Sequence, residues 1–326
     1  MILILSNDID DGTNQVIDWL YSYGKKFIRV NGNQFLSYDS SIALSSQDTT
    51  KSIQSKLFDF DSASETDVVW FRRWGAPDSF IRNDLPSSLA YQTGKYLLGQ
   101  FNIISNIFFE SLSHVKWVNH PSELTRNKVH VLEQALKAGL RIPETLICST
   151  RDELVRFKKV HGRIITKSIG DISFFYEGKS RFSIYTSEIV DEDISLVDEH
   201  FFPSLVQQYI PKQYELRIFF LDGEVYPMAI FSQTNEKTRI DFRNYDAIKP
   251  NRTVPYSLPP IIKRKIRKLM KLLDMSCGSI DMIKDCKGDY YFLEVNPVGQ
   301  FGMVSSPCNY FLEKRLAEHL MKITNR

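Results

Sequence analysis

Two stretches near the C-terminus restrict what this chain can become: GSIDMI (Gly278 to Ile283) and YYFLEVN (Tyr290 to Asn296). Both are apolar and strand-like, and a turn near Lys287-Gly288 separates them, so they read as a hairpin of two buried strands. Yet both carry polar groups. Asp281 falls near the middle of the first strand, while Glu294 and Asn296 lie two residues apart on the second and therefore share a face. Pairing across the turn can bring Asp281 alongside them. Buried carboxylates without partners are costly, so three oxygen donors on one face call for a cation or another compensating group. Mg²⁺ suits the set, because it takes a few carboxylate oxygens together with the phosphates of a nucleotide. The competing reading is the solvated face of an edge hairpin, and the apolar flanks argue against it.

A nucleotide needs cations for its phosphates. Lys167 lies inside the apolar strand RIITKSI. A lysine there needs a partner, and phosphate is a natural one; an edge-strand lysine is the alternative. Lys128, in the first turn of a helix, is weak evidence alone. Arg217 in YELRIFF alternates with Glu215, so both project to one face. Arg217 could clamp a γ-phosphate or a developing acyl phosphate, or simply pair with Glu215. The extended segment VQQYIPK (Val206 to Lys212) joins two parts of the chain. Its backbone could read an adenine edge, with Gln207 or Gln208 nearby.

The remaining text sets the frame. ILILS, a helix through Val16, Ile17 and Leu20, and KKFIRVN open the chain as β-α-β. Short edge strands and loops are expected over residues 37–54, a strand in DVVWFRRWG, and a long helix over residues 88–112. Asn127 to Lys137 reads as a helix with Gly139 just past its end. A hairpin turns at Asp222-Gly223, a proline opens the helix PPIIKRKIRKLMKLLDM, and PCNYFLEKRLAEHLMKIT reads as a closing helix. Arg72 and Arg73 follow a buried-looking strand. Adjacent residues face opposite sides, so one of them at most faces a cleft. Arg72, on the face of Trp70 and Trp74, is the candidate for a substrate carboxylate, against a strand-end arginine stacked on tryptophan.

Composition excludes several classes. At 326 residues the chain exceeds one compact core and suggests two or three units. A net charge of +2 gives no reason to expect nucleic acid or a membrane surface as partner. No apolar run approaches the ~20 residues that span a bilayer. The start, MILILSNDID, reads as a first strand and lacks the basic region of a signal peptide. The four scattered cysteines read as reduced thiols of a cytoplasmic protein, with no metal framework, and the six histidines show no metal spacing. Lys263 to Lys271 carries six positive charges and no negative ones, which reads as a solvated basic face or as a dock for an acidic peptide.

In this order and spacing, NKVHVLEQALKAGLRIPET, RIITKS, QQYIPKQYELRIFFLDGEVYPMAI, GSIDMI and FLEVNP resemble the ATP-grasp ligases from about Lys116 onward. The resemblance implies an α/β (α+β ATP-grasp) fold. It would comprise an N-terminal β-α-β pre-ATP-grasp domain (1–115), a central lid domain (116–205) and a C-terminal ATP-grasp domain (206–326). It implies that Lys128 and Lys167 bind nucleotide phosphates, that Gln207, Gln208, Tyr209 and Ile210 contact adenine, and that Glu215 bonds the ribose. Asp281, Glu294 and Asn296 would hold Mg²⁺, two ions in all, with Asn296 also on the nucleotide; Lys167 and Arg217 would be catalytic.

More narrowly, VVWFRRWG and QQYIPKQYELRIFF resemble the microviridin-type, or graspetide, ligases. ILILSNDIDDGTNQVIDWL and WFRRWG are similar to the peptide maturases of grasp-with-SPASM systems. This implies ATP-dependent ester or amide links from Asp/Glu to Ser/Thr/Lys of a ribosomal precursor peptide with a leader. Trp70, Arg72 and Arg73 would meet the substrate, a SPASM radical-SAM protein would share the pathway, and the enzyme would be a homodimer. Two alternatives are a small-molecule carboxylate–amine ligase and a non-catalytic nucleotide-binding module. SIGDISFFYEGKS departs from the family's glycine-rich phosphate loop, having only Gly170 and Gly178. The segment Gly170 to Asp198 is the expected lid, needed because water would hydrolyse an acyl phosphate.

Overall fold

The run Ile2–Ser6 is buried at every position, which marks a strand covered on both faces. The computed structural model describes residues 1–35, 40–44, 51–55, 65–76, 85–124, 126–170, 174–177, 180–233, 235–244 and 246–324, and they form two units. In unit 1, β1 (Ile2–Ser6) pairs in parallel with β2 (Phe27–Asn31). An antiparallel pair, β3 (Ser40–Leu44) and β4 (Lys51–Ser55), follows. Then β5 (Val68–Phe71) pairs in parallel with β1 and with β6 (Lys116–Val118), giving the order β2-β1-β5-β6. The helix Asp11–Ser22 starts at Asp10, whose carboxylate accepts the Thr13 N–H. The long helix Ser87–Ser111 buries only Phe101, Ser105, Phe108 and Phe109, and Phe108 packs beside Phe35 and Trp74.

Residues 298–302 and 311–326 also belong to unit 1, and the helix Leu312–Thr324 packs on the helix Asp11–Ser22, on β1 and on β5. The sequence reading ran one closing helix from Pro307. The structure has a helix Gly302–Cys308, then Asn309 and Phe311 at φ 52° and 50°, then Leu312–Thr324. Two left-handed residues break the helical ladder, and asparagine tolerates that conformation better than most.

Unit 2 holds two antiparallel sheets. The first is built from β7 (Thr145–Thr150), β8 (Ile164–Lys167), β11 (Ser187–Ile189) and β12 (His200–Gln208), in the order β11-β8-β12-β7. A separate two-stranded hairpin pairs β9 (Phe174–Glu177) with β10 (Ser180–Ser183). The helix Arg151–His161, capped by Thr150, covers the sheet through Leu154, which packs with Cys148, Ile164 and Val206. This helix is not among the elements expected from the sequence. Of the expected lid, residues 171–173 and 178–179 lie outside the described residues.

The second sheet comprises β13 (Lys212–Leu221), β14 (Glu224–Phe231), β15 (Arg252–Pro255), β16 (Cys277–Asp285) and β17 (Tyr290–Asn296), in the order β15-β14-β13-β16-β17. Asp222 and Gly223, at φ 46° and 90°, make the two-residue turn between β13 and β14, and both left-handed positions match the twist of a tight hairpin. Tyr214, Leu216, Ile218 and Phe220 face a core shared with Ile266 and Leu269 of the helix Pro260–Leu272 and with Val131 and Ala135 of the helix Lys128–Lys137. Glu215 and Arg217 therefore point to the other side of the sheet. Among the described residues, no helix is long and apolar enough to cross a membrane.

Candidate active site

Arg217, Asp281 and Glu294 form one row across β13, β16 and β17, because Arg217 pairs opposite Asp281 and Asp281 opposite Glu294. A β-bulge sets this row. Met282 pairs with Phe292, so Leu293 is an extra residue between the Phe292 and Glu294 positions. Strict alternation would put Phe292 and Glu294 on the same face. The bulge instead leaves Phe292 in the core and turns Glu294 to the charged side, with Asn296 following it opposite Ser279. An apolar strand thus carries a carboxylate without burying it among leucines.

The row is tightly held. Arg217 Nη1 donates to Asp281 Oδ2 at 2.6 Å, and both residues are buried. Asp281 Oδ1 and Arg217 Nε have no hydrogen-bond partner among the described residues. Burial pushes the Asp281 carboxyl above its ordinary range; Arg217 opposes this and the neighbouring Glu294 adds to it. Burial also acts to raise Glu294, but Lys167, Arg243 and Lys128 outweigh it and hold that carboxyl low. Lys128 Nζ lies 3.7 Å from Glu294 Oε2 and donates to the Ser168 and Gly170 carbonyls at 2.9 and 2.8 Å.

The side chain of Lys167, at the end of β8, makes no hydrogen bond or ion pair among the described residues. Its amine is pushed down to about 8, first by burial, with Lys128 and Arg243 adding to the shift and Glu294 opposing it. An ammonium disfavoured in this way gains from an incoming anion. The structure thus brings Lys128, Lys167, Arg217, Asp281 and Glu294 together.

Lys167, Asp281 and Glu294 border an open cleft within unit 2, lined also by Gln207, Tyr209, Ile210 and Glu215. The linker differs from the expectation in one respect. The N–H groups of Gln208 and Tyr209 already donate to the carbonyls of Glu144 and Arg163, both at 2.9 Å, so they are not open for a base edge. The side chain of Gln207 is held at one end only: Nε2 donates to Thr145 Oγ1, while Oε1 is buried with no hydrogen-bond partner among the described residues. Arg163 stacks 3.8 Å above the Tyr209 ring and forks onto Glu188 at 2.6 Å. Glu215 accepts from Lys212 and from Ser232, and burial drives its carboxyl upward against the pull of Lys212.

Sequence reasoning missed Asp241 and Arg243, which lie between β14 and β15. Arg243 forks onto Asp241 through Nε and Nη2 at 2.9 and 2.8 Å and reaches Glu294 Oε1 at 3.4 Å. Lys212 holds the adjoining Ile240 carbonyl at 2.9 Å. The usable signal was Asp-Phe-Arg, opposite charges two residues apart in a polar stretch, which alone is common.

The donor set fits Mg²⁺ better than a transition metal. Among the described residues no cluster of three or more His, Cys, Asp and Glu side chains could hold a metal. Two carboxylates plus an amide, with one buried carboxylate oxygen unpartnered, leave most of a hard cation's coordination to phosphate and water.

Trp70, Arg72 and Arg73 belong to unit 1. Trp70 is 2% exposed and serves the core. Arg72 is buried as well: Nη1 donates to the Val298 and Gly299 carbonyls at 2.5 and 2.8 Å, Nε meets Asp10 at 3.3 Å, and the guanidinium lies over Phe301. Arg73 pairs with Asp10 at 2.6 Å and keeps 41% of its side chain exposed.

No family model matches the sequence, and no curated protein is similar to it in sequence. Solved structures do match. The chain is similar to a RiPP-associated ATP-grasp ligase from Chryseobacterium gregarium in complex with ADP and a leader and core peptide: 24% identity, TM-score 0.84, covering 99% of this chain and 96% of that one. It is also similar to macrocyclase MdnC from Microcystis aeruginosa MRC bound with precursor peptide MdnA: 24% identity, TM-score 0.82, covering 98% and 99%. ATP-grasp ligase PsnB, complexed with minimal precursor, Mg and ADP, gives 15% identity, TM-score 0.77 and coverage of 99% and 97%. The chain therefore has the ATP-grasp fold of these ligases over nearly its whole length.

Proposed function

We propose that this protein is an ATP-dependent ligase. It activates Asp/Glu side-chain carboxylates of a ribosomal precursor peptide and joins them to Ser, Thr or Lys as esters or amides. The observation that carries the reading is the row Arg217–Asp281–Glu294 with Lys128 and Lys167 converging on it. It is supported by a fold shared along nearly the full length with ligases solved with ADP and precursor peptides.

A carboxylate resists nucleophiles because its charge repels them. One of its oxygens attacks the γ-phosphorus of ATP, ADP departs, and the acyl phosphate has a good leaving group. A hydroxyl or amine then attacks the acyl carbon, phosphate leaves, and the nucleophile's proton is lost. Lys128 and Lys167 hold the phosphates. Arg217 and Arg243 stand where negative charge builds on the transferred group. Gln207, Tyr209 and Ile210 border the adenine and Glu215 the ribose. Asp281, Glu294 and Asn296 would hold Mg²⁺, which when bound neutralises phosphate charge and polarises the phosphoryl group.

Of Trp70, Arg72 and Arg73, the exposed Arg73 is the best placed to meet a peptide carboxylate. The same reading keeps the three-domain division at 115/116 and 205/206, a leader-bearing precursor, a SPASM radical-SAM protein in the pathway and a cytoplasmic location. It also keeps a homodimer, supported by Tyr91, Tyr96 and Ile103 standing exposed on the helix Ser87–Ser111.

The test is incubation with ATP, Mg²⁺ and a candidate precursor. ADP release that depends on the precursor, with loss of one water per link, is expected. ADP release driven by free amino acids would favour the small-molecule ligase, and no ADP under either condition would favour the non-catalytic module.

A further inference from the structure

The helix Pro260–Leu272 breaks rules that two other helices of the chain obey. The helix Arg151–His161 places Asp152 and Glu153 in its first turn and Lys158, Lys159 and His161 in its last, matching the helix dipole. The helix Leu312–Thr324 does likewise, with Glu313 and Lys322. The helix Pro260–Leu272 has no acidic residue and no side-chain cap at its start, and it carries Lys263, Arg264, Lys265, Arg267, Lys268 and Lys271. Lys263/Arg267, Arg264/Lys268 and Arg267/Lys271 are like charges four apart, an unfavourable spacing. Only Arg267 finds an acid among the described residues, Glu224 at 3.8 Å. Arg264, Lys268 and Lys271 are exposed. A local rule broken without compensation marks a surface kept for something other than stability.

The opposite face of this helix narrows what that is. Ile262, Ile266, Leu269 and Met270 are spent in the core, and only Ile261 and Leu272, at opposite ends of the helix, stand exposed, which makes no continuous apolar face to enter a bilayer. No aromatic residue lies on the helix to stack nucleobases, and the chain's net charge of +2 makes no general field for nucleic acid. The core these residues fill is on the side of the sheet away from Arg217 and Asp281, so the surface is separate from the nucleotide cleft.

We propose that this basic face docks an acidic stretch of the peptide substrate, outside the segment being activated. The identity of the occupant rests on the ligase reading, since that reaction requires a peptide bearing side-chain carboxylates. The helix is about 20 Å long, enough for roughly six residues of extended peptide.

Fluorescence anisotropy of a labelled oligoglutamate peptide tests this, with Mg–ATP binding followed in parallel. The wild-type protein should bind the peptide in a salt-sensitive manner. The variant R264Q/K268Q/K271Q should bind at least about tenfold more weakly and lose most of the salt dependence. A control, R156Q/K159Q on the helix Arg151–His161, should bind as wild type. The docking is overturned if the triple variant matches wild type, if the control loses as much, or if wild type ignores the peptide. It is equally overturned if single-stranded RNA or anionic phospholipid vesicles compete better than oligoglutamate. Mg–ATP binding should be the same in all three proteins, which also shows that the variants are folded. Its absence in wild type, with peptide docking intact, would sink the ligase reading and leave the surface standing.

Discussion

Two buried Arg–Asp pairs divide the work of this molecule, and they are built differently. In unit 1, Asp10 accepts from the Thr13 N–H at 2.7 Å, from Thr13 Oγ1 at 3.0 Å and from Arg72, while Arg73 covers its other oxygen. Burial acts to raise this carboxyl, but Arg72, Thr13 and Arg73 outweigh it and hold it low. In unit 2, Asp281 has Arg217 on one oxygen and, among the described residues, no hydrogen bond on the other, with Glu294 beside it, and burial prevails. The first pair is satisfied, so it locks a structure. The second is short of partners, and the proposed cation and phosphate would supply them. Charge and burial alone do not separate the two; the completeness of the hydrogen bonding does.

That contrast can be broken by experiment. The largest effect is expected on turnover. Asp281→Ala or Glu294→Ala should lower precursor-dependent ADP release by at least about 10³-fold, since metal stabilisation supplies several kcal/mol at roughly 1.4 per decade. A double variant that keeps wild-type turnover would sink the metal assignment. Next comes stability. Arg72→Gln strands a buried Asp10 and should lower the unfolding free energy in urea by about 3–5 kcal/mol, leaving Mg–ATP affinity unchanged. If it instead melts like wild type and loses precursor turnover, Arg72 is a substrate residue and the two pairs are alike.

The third prediction concerns Lys167. Its amine titrates near 8 in the folded protein, below the ordinary 10.5 of the unfolded chain. Between those values the unfolded chain binds more protons, so unfolding free energy rises with pH across that window. Relative to Lys167→Met, wild type should gain at most about 3.5 kcal/mol there, at roughly 1.4 kcal/mol per unit. Equal pH profiles for the two proteins would show that the amine is not disfavoured. The smallest effect belongs to Thr13→Val, which removes one of the supports of Asp10 and should cost about 1 kcal/mol in a urea melt.

Much of this was legible in the sequence. The alternation of Glu215 and Arg217, the Asp222-Gly223 turn and the hairpin at Lys287-Gly288 are local patterns, and each appears in the structure. The pairing of Asp281 with Glu294 depended on register, which alternation cannot supply; an extra residue, Leu293, decides it. The linker from Gln207 was legible only as a location, because whether the N–H groups of Gln208 and Tyr209 are free depends on Glu144 and Arg163, both distant in sequence. Arg243 was missed because a loop arginine gains meaning from Glu294, 51 residues later. Arg72 was read as facing a cleft because the carbonyls that hold it, Val298 and Gly299, come 226 and 227 residues after it.

Those same carbonyls bear on how the polypeptide is made. Unit 1 begins with Met1 yet includes residues 298–302 and the helix Leu312–Thr324, which covers β1, β5 and the helix Asp11–Ser22. During synthesis the first sheet emerges long before the segment that clamps Arg72 and the helix that roofs its apolar strands. Unit 2 can complete its hairpins while unit 1 is still waiting. The N-terminal part therefore finishes last, reversing the usual order in which a nascent chain matures. Premature termination after Asn296 would leave every candidate metal ligand present and the opening sheet uncovered.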